Sequence, residues 1–409
     1  MLEINSEIDS PNYGLLRETV EEIADIGIKI ADTRELEAKL TNALNKHKDD
    51  LREYYGIENP NSSKQVLASL QELAQIEHPC IYDVCYNEDT GKWTSNAEAL
   101  ETLKTLGVPI AFTLSRYREL NNIISTLRSL RDLSDASGMV HPVVSYGRTG
   151  RINYSEPALM NINKKVLWDV IAPRSAGWEL WSVDIKNEEP WILINMLGIG
   201  TLMEILEQDR SLYDCVFEYW YGHEPSKEER AEFKTAWNAL TYGASKKLIQ
   251  SRCNAIDSGM LFKNFNGIKE LKEWQQTCRS KGFGGRKECE TYFGTKLECD
   301  AYRGAGLARQ QMDYPIQSTG VDILALLNEY FQAALAEQGL EDSMYVYMFR
   351  HDEMVIAVDE NLRKSWGYDK VESFLRDIFE LKIDNWLPFN VEIELLEKND
   401  SLLESLDIS

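Results

Sequence analysis

Two strand-forming segments that lie far apart in the chain each place an aspartate at a strand end. The segment GWELWSVDI has the pattern of a buried strand and carries Asp184 near its end. The segment MYVYMFRHDEMVIAV predicts two short strands that meet at a tight polar turn, a β-hairpin with His351, Asp352 and Glu353 at its tip. Because helical and basic sequence separates the two segments, their order predicts an α+β fold. We expect a mostly antiparallel sheet built from both segments, with a helical insertion between them.

The first third of the chain is dominated by helical periodicity. Leu, Ile and Val recur at helical spacing from about residue 12 to residue 55, with a short extended break at residues 27–31. KQVLASLQELAQ predicts a helix capped by Ser62 or Ser63, and TSNAEALETLKTLG predicts a helix that ends at Gly107. FTLSRYRELNNIISTLRSLRDL predicts the longest helix of this half.

The composition excludes several classes of protein. With 409 residues, 43% of them hydrophobic and 27% charged, the chain is typical of a globular protein of two or three structural units. It has no apolar run near the roughly 20 residues that cross a bilayer, and its acidic amino terminus lacks the basic region of a signal peptide. Seven cysteines without a CxxC pair favour a reducing compartment and disfavour a structural zinc site. We therefore expect a cytoplasmic protein with no membrane partner.

The distribution of charge is uneven. The net charge of −23 argues at first against nucleic acid as a partner, because a phosphate-binding protein needs a basic footprint. Residues 225–287, however, contain about twice as many Lys and Arg as Asp and Glu, while the rest of the chain is acidic. A basic cleft inside an acidic shell therefore remains compatible with the sequence.

The two strand-end aspartates are candidates for metal binding. A sheet that brings their strands together would place the carboxylates of Asp184 and Asp352 at one point. Two Mg²⁺ ions about 3.5–4 Å apart require such shared oxygen ligands, with positions left for phosphate oxygens. A single acid after a strand is more often a turn residue, so the metal hypothesis depends on the pairing.

A second pattern lies in the basic segment. Arg230, Lys234, Asn238 and Tyr242 recur every fourth residue, which places them along one slowly rotating stripe of a helix. The two cations could hold the β- and γ-phosphates of a nucleotide, and the tyrosine could stack near a base. A solvated charged face is the commoner origin of such spacing. Gly243 slightly favours the first interpretation, since glycine permits close approach of another group.

Three segments together resemble a known family. DIKNEE at residues 184–189 resembles motif A of family A DNA polymerases, the bacterial DNA polymerase I type, in which a Glu follows an Asp by five residues. Arg230, Lys234 and the pair Tyr242-Gly243 resemble motif B, the fingers helix, and HDE at residues 351–353 resembles motif C. The three occur in the family's order, and an ordered set is more specific than any one motif.

The resemblance extends over nearly the whole chain, from about Leu15 to the end. TGRINYSEPALMNI is similar to the family's primer-side segment, and residues 309–319 are similar to its segment between motifs B and C. ETVEEIADIGIKI, NPNSSKQV and SRYRELNNIISTLRSL are similar to its thumb. The resemblance implies that these residues bind primer-template DNA: Arg151, Asn161, Arg309, Asp313 and Gln317.

The resemblance also implies a catalytic apparatus. Asp184 and Asp352, with the backbone carbonyl of Ile185, would bind two Mg²⁺ ions, for which Mn²⁺ is a possible substitute. Glu353 would be an auxiliary acid, and Lys234 would also donate a proton to the leaving group. Glu189 would block the 2′-hydroxyl of a ribonucleotide and so select dNTPs. The implied nucleotide-binding residues are Arg230, Lys234, Asn238, Tyr242, Glu189 and His351.

Some positions depart from the family's pattern. Asn238 stands where the family usually has Phe or Tyr, and Trp191 where Arg is common. Lys186 replaces a small residue, and Met160 occupies a usual Gln. These changes concern substrate handling rather than the metals, so we expect activity with altered fidelity or sugar selectivity.

The resemblance implies a right-hand polymerase fold with an antiparallel-sheet palm, helical fingers and a helical thumb. The expected division is a thumb with an N-terminal palm-base segment at 1–135, palm at 136–200, fingers at 201–300 and further palm at 301–409. The thumb-like helices begin near residue 15, so we expect no 3′–5′ exonuclease domain. A separate exonuclease or a processivity factor is a possible partner, in a bacterial cell or a phage-infected host.

Two other functions stay open at this point. A single-subunit RNA polymerase shares the palm plan, although Glu189 argues against it. A catalytically inactive DNA-binding accessory subunit would retain the shape, although intact Asp184, Lys234 and Asp352 argue against that.

Overall fold

The structure is a computed structural model that describes residues 2–6, 9–88, 90–206, 211–250, 253–396, 403 and 406. The chain divides into two compact units. The larger unit comprises Met1–Ile28, Pro142–Met160 and Pro173–Leu396, and the smaller comprises Lys29–His141, Asn161–Ala172 and Glu397–Ser409. No helix within the described ranges combines the length and apolar character that a membrane crossing requires.

The helices are α1 Tyr13–Ile26, α2 Arg34–Tyr55, α3 Ser63–Ile76, α4 Cys80–Cys85, α5 Ala97–Thr105, α6 Pro109–Leu133, α7 Lys164–Val170, α8 Glu188–Leu197, α9 Gly200–Leu206, α10 Leu212–Tyr221, α11 Lys227–Thr241, α12 Lys246–Gln250, α13 Ser258–Gly267, α14 Lys269–Gly284, α15 Ala305–Gln338, α16 Glu360–Trp366 and α17 Tyr368–Phe379. A 3₁₀ turn occupies Leu159–Asn161.

The strands are β1 Leu2–Ile4, β2 Ile28–Lys29, β3 Tyr86–Asn87, β4 Lys92–Trp93, β5 Met139–Val140, β6 Val143–Tyr146, β7 Ile152–Ser155, β8 Trp178–Ile185, β9 Glu288–Glu290, β10 Lys296–Glu298, β11 Met344–Arg350, β12 Glu353–Asp359, β13 Leu381–Ile383 and β14 Val391–Leu395.

A four-stranded antiparallel sheet lies at the centre of the larger unit, in the order β11-β12-β8-β14. Strand β8 is buried along most of its length because apolar side chains follow one another there, including Leu180, Trp181 and Val183. Its pairing with the β11–β12 hairpin joins the two segments that the sequence separates widely. The predicted α+β class, with an antiparallel sheet assembled from both segments, is confirmed.

Helix α15 is the longest in the described part of the chain, with 34 residues and a mostly buried surface. Pro315 lies inside it, and the Thr319 hydroxyl donates to the Pro315 carbonyl at 2.7 Å. Helix α14 packs directly on it: a Cβ at Gly282 would lie 2.3 Å from the Ala308 nitrogen. Glycine is therefore required at 282 for these helices to approach so closely.

The smaller unit is helical and has an apolar core beneath α2 to α6. The predicted helix starts are confirmed by their caps: Ser62 Oγ accepts from the Gln65 amide at 3.5 Å, and Asn96 Oδ1 accepts from the Ala99 amide at 2.9 Å. The long helix predicted from periodicity is α6, with buried residues such as Leu114 at helical spacing.

Candidate active site

The two strand-end aspartates are neighbours in the sheet. Asp184 on β8 pairs in register with Glu353 on β12, and Asp352 lies in the turn just before it. The turn is tight because His351 takes a left-handed conformation, with φ of 55°. The Ile185 amide of β8 donates to the Asp352 carbonyl at 3.3 Å and so ties the turn to that strand. Both aspartates line one cavity of about 1070 Å³. Distant sequence segments therefore place two carboxylates at one opening.

Electrostatics at this pair favours a bound cation. Burial, and then the negative charge of Asp184, raises the pKa of Asp352 to about 6. Carboxylate oxygens are the ligands that Mg²⁺ prefers, and a divalent ion would offset the repulsion. The described residues contain no group of three or more His, Cys, Asp and Glu side chains arranged around a metal. Two carboxylates, those of Asp184 and Asp352, and the backbone at Ile185 border the same cavity.

Helix α11 forms another wall of the cavity and contributes two cations to it. Helix α11 begins at a capping box, in which Ser226 and Glu229 exchange hydrogen bonds, so its first turn is fixed. Arg230, Lys234 and Asn238 all line the cavity, as their spacing of four residues along the helix predicts. This arrangement sets two positive side chains and an amide against the aspartate pair in one pocket.

Glu189, in the first turn of α8, is held by two hydrogen-bond donors. Its carboxylate accepts from the Tyr242 hydroxyl at 2.7 Å and from the Arg151 guanidinium. Burial and the charge of Glu189 raise the pKa of Tyr242 well above its ordinary value, so the hydroxyl stays protonated. The Gln317 amide donates to Asp313 at 2.7 Å, and burial followed by the charge of Glu189 raises the pKa of Asp313 to about 6. A polar network therefore fixes Glu189 beside the cavity.

The arrangement agrees with the family comparison. The model for DNA polymerase family A matches residues 30–397. This chain belongs to DNA polymerase family A. As a family A chain it resembles DNA polymerase I of Chloroflexus aurantiacus, with 27% identity over 339 residues that cover 75% of this chain and 34% of that protein. The DNA polymerase of Escherichia phage T5 is 23% identical and covers 92% of this chain and 50% of its own length.

A solved structure has the same fold. The POL domain of Pol1 from M. smegmatis, described as a complex with DNA primer-template and dNTP, matches with a TM-score of 0.76 and 19% identity. The match covers 94% of this chain and 69% of that one. The predicted polymerase-domain fold is thereby confirmed. The chain spans only about a third of the length of the first curated relative.

Most of the site residues predicted from sequence lie on the cavity of this family A chain. They are Arg151, Asp184, Ile185, Glu189, Arg230, Lys234, Asn238, His351 and Asp352. Tyr242 bonds directly to Glu189, while Gln317 bonds to Asp313, a carboxyl group whose pKa the charge of Glu189 raises.

Three predicted residues lie elsewhere. Glu353 is 1% exposed and is not among the cavity-lining residues, because its carboxylate turns to the Ser182 hydroxyl on the next strand. Arg309 is exposed on α15 of the larger unit. Asn161 is exposed at the end of the 3₁₀ turn and belongs to the smaller unit.

Three carboxylates of the cavity were not predicted as site residues: those of Glu188, Glu380 and Glu392. Glu188 is buried, and burial followed by the charge of Asp352 raises its pKa well above the ordinary value. A Cβ at Gly320 on α15 would lie 2.6 Å from its Oε2, so only glycine leaves room for this carboxylate. The sequence signal for Glu188 is the pair of neighbouring acids, Glu188 and Glu189, that follows strand β8. Only Glu189 is assigned a role from the sequence.

Proposed function

We propose that this chain is a template-directed DNA polymerase that extends a primer 3′-hydroxyl with dNTPs. The observation that carries this proposal is a single cavity lined by Asp184 and Asp352 together with Arg230 and Lys234 of α11. Family membership supports it, as does the similarity to a polymerase domain described with primer-template and dNTP. We propose the polymerase activity, its dNTP and primer-template substrates and its partner proteins alike.

Asp184 and Asp352, with the Ile185 carbonyl, are the proposed ligands for two Mg²⁺ ions, and Mn²⁺ is the proposed substitute. Bound divalent ions supply a lowered pKa at the primer hydroxyl and charge neutralisation on the phosphates. The protein's own contribution is to hold two carboxylates at one place: β8 carries the first, and the turn after β11 carries the second. Glu353 is assigned a supporting role, as a buried acid beside Ser182.

The nucleotide would lie along α11. Arg230 and Lys234 bind the phosphates in this proposal, and Lys234 donates a proton to the leaving pyrophosphate. Asn238 and Tyr242 follow Lys234 in sequence and would lie toward the sugar and the base. His351 lines the cavity next to Asp352, one of the residues that would hold the metals. Glu189, fixed by its two donors, would occupy the space that a ribose 2′-hydroxyl needs.

The remaining assignments concern DNA and partners. Arg151, Asn161, Arg309, Asp313 and Gln317 are the proposed contacts to primer and template. The division into thumb at 1–135, palm at 136–200 and 301–409, and fingers at 201–300 stays a prediction. We also propose that the protein acts in the cytoplasm.

A primer-extension assay tests the proposal. The purified chain is given a primed DNA template, Mg²⁺ and either dNTPs or rNTPs, with a Glu394→Gln variant as a matched control because Glu394 is exposed on the same sheet outside the cavity. We expect extension with dNTPs and little with rNTPs by both proteins. Preferred use of rNTPs would favour an RNA polymerase instead. No extension with Mg²⁺ or Mn²⁺, despite DNA binding, would favour an inactive accessory subunit.

A further inference from the structure

The start of helix α10 contacts each cavity-lining side chain of α11. Asp214 accepts from Arg230 Nε at 2.7 Å, and the Ser211 hydroxyl accepts from Arg230 Nη2 at 3.0 Å. One turn further along α11, Lys234 Nζ lies 5.4 Å from the centre of the Tyr213 ring. The Tyr213 hydroxyl then donates to Asn238 Oδ1 at 3.1 Å. One short segment therefore supports three successive turns of the stripe.

Tyr213 is the central member of this segment. Its side chain is 2% exposed, although it lines the cavity. Burial raises its pKa to about 12, so the hydroxyl is protonated near neutral pH and acts as a donor. A buried tyrosine hydroxyl needs a partner, and the amide oxygen of Asn238 supplies it. The ring meanwhile presents its face to the exposed Lys234 cation, an arrangement that is modestly favourable.

The hydrogen bond determines what Asn238 can offer to a ligand. With Oδ1 engaged by Tyr213, the amide orientation is fixed, and Nδ2 is the donor that Asn238 can offer to a molecule in the cavity. Asn238 stands one turn beyond Lys234 and one turn before Tyr242 on the helix. Its amide therefore lies between the phosphate-facing cation and the residue that follows toward the base.

We propose that Tyr213 is a positioning residue for nucleotide binding: its hydroxyl orients Asn238, and its ring supports Lys234. The oriented Asn238 amide donates a hydrogen bond to the sugar–phosphate part of the incoming dNTP. This inference rests on the proposed polymerase function and adds to it a specificity-determining pair, Tyr213 and Asn238. In this pair a polar contact is present at position 238, where the family usually has a bulky aromatic residue.

The test is a double-mutant cycle with Tyr213→Phe, Asn238→Ala and both changes together. Tyr213→Phe keeps the ring under Lys234 and removes only the hydroxyl. We expect each single variant to raise KM for dNTP by about 3- to 10-fold, with kcat within about twofold, because one hydrogen bond is lost. The double variant should be no worse than the single ones, because both remove the same contact.

Tyr221→Phe is the matched control, since Tyr221 is on the same helix and donates to the Asp257 carbonyl at 2.9 Å, away from the cavity. Its KM should equal that of the wild type, and thermal denaturation checks that all variants fold. Unchanged KM in Tyr213→Phe, or multiplied effects in the double variant, would overturn the inference. Should Tyr213→Phe not fold, Asn238→Ala still decides, and a normal KM there refutes the contact.

Failure of the proposed function can be told apart from failure of this inference. If the wild type extends no primer, the polymerase proposal is wrong. The same proteins are then compared by dATP binding in a fluorescence titration with primed DNA. If each single variant binds dATP more weakly and the double variant is no weaker than either, Tyr213 and Asn238 still act together in nucleotide binding. If all variants bind dATP as tightly as the wild type, the inference is rejected.

Discussion

The two units of the chain bury different kinds of side chain. In the described residues of the smaller unit, the buried groups are apolar or uncharged, such as Leu51, Val66 and Leu114. Among the residues of the larger unit that the structure describes, three carboxyl groups are buried: Glu188, Asp322 and Glu353 are at most 6% exposed. Burying a carboxyl group costs free energy unless it is paired or protonated, whereas burying leucine stabilises.

This difference indicates what each unit is built for. An apolar helical core can be formed by hydrophobic pattern alone and has no chemistry of its own. The larger unit accepts unfavourable charge around its cavity, as the raised pKa of Asp352 shows. Perturbed carboxyl groups are typical of sites that bind metals or move protons. The comparison predicts that carboxylate changes in the larger unit affect activity, while packing changes in the smaller unit affect stability.

The strongest test of the comparison is to replace either metal-facing aspartate by asparagine. Asp184→Asn or Asp352→Asn should lower the rate of nucleotide incorporation by at least about 10³-fold, because an amide is a poor ligand for Mg²⁺. The thermal midpoint should stay the same or rise, since one of two neighbouring half-buried negative charges is removed. Single-nucleotide incorporation and thermal denaturation measure the two effects. Robust extension by either variant would refute the assignment of the metal ligands.

A cavity in the smaller unit should give the opposite result. Leu114 is 0% exposed on α6, and Leu114→Ala should lower the free energy of unfolding by about 2–5 kcal/mol. Leu133→Ala on the same helix, where the side chain is 46% exposed, should cost less than about 0.5 kcal/mol. Urea denaturation measures both. Equal costs at the two positions would show that burial does not control stability in this unit.

The sequence predicted those features that local pattern controls. Residues close together in the chain determine strand β8 and the β11–β12 hairpin. They also determine that Arg230, Lys234 and Asn238 recur every fourth residue along α11. The two aspartates could be paired because each stands at a strand end, where sheet formation brings ends together. The apolar helices of the smaller unit were also predictable, since their buried residues recur at helical spacing.

Features that depend on distant contacts were not predictable. Helix α15 is buried on most of its surface and contains Pro315, so it lacks both an amphipathic period and a clean start signal. The contact of Tyr213 with Asn238 depends on how α10 packs on α11, which no local pattern reports. Glu353 follows Asp352 directly, yet the strand that begins there turns its side chain into the sheet.

A buried carboxyl group away from the cavity sharpens the comparison through pH. Asp322 is 0% exposed and accepts from the Tyr13 hydroxyl and, at 3.2 Å, from the Thr295 hydroxyl. Burial raises its pKa from 3.8 to about 6. The folded state therefore binds its proton more tightly than the unfolded state, so this group stabilises fully below the unfolded pKa. Its contribution is lost as the pH rises toward 6.

Asp322→Asn should therefore stabilise the protein at pH 7 relative to the wild type, by up to about 3 kcal/mol, and should bring no such gain at pH 4. Asparagine keeps the oxygen that accepts from Tyr13, so packing is preserved. Denaturation at both pH values measures the difference, and Asp369→Asn, at an exposed position on α17, controls for the substitution itself. A gain that is equal at pH 4 and pH 7 would contradict a titrating Asp322.

The smallest expected effect concerns substrate choice rather than rate or stability. Glu189 differs from the buried carboxyl groups because it is partly exposed to the cavity and held by Tyr242 and Arg151. Glu189→Ala should reduce the preference for dNTP over rNTP by about 10-fold, since space opens at the ribose 2′ position, while the dNTP rate changes less. Competing incorporation of dATP and ATP on one primed template measures the ratio.

Glu189→Gln separates shape from charge at the same position. The amide has nearly the same volume and still accepts from Tyr242, so discrimination should persist if Glu189 acts by occupying space. If Glu189→Gln loses discrimination as fully as Glu189→Ala, the negative charge is responsible, and this carboxylate acts electrostatically like those that line the rest of the cavity. Unchanged selectivity in both variants would remove Glu189 from sugar recognition, leaving its bonds to Tyr242 and Arg151 as purely structural.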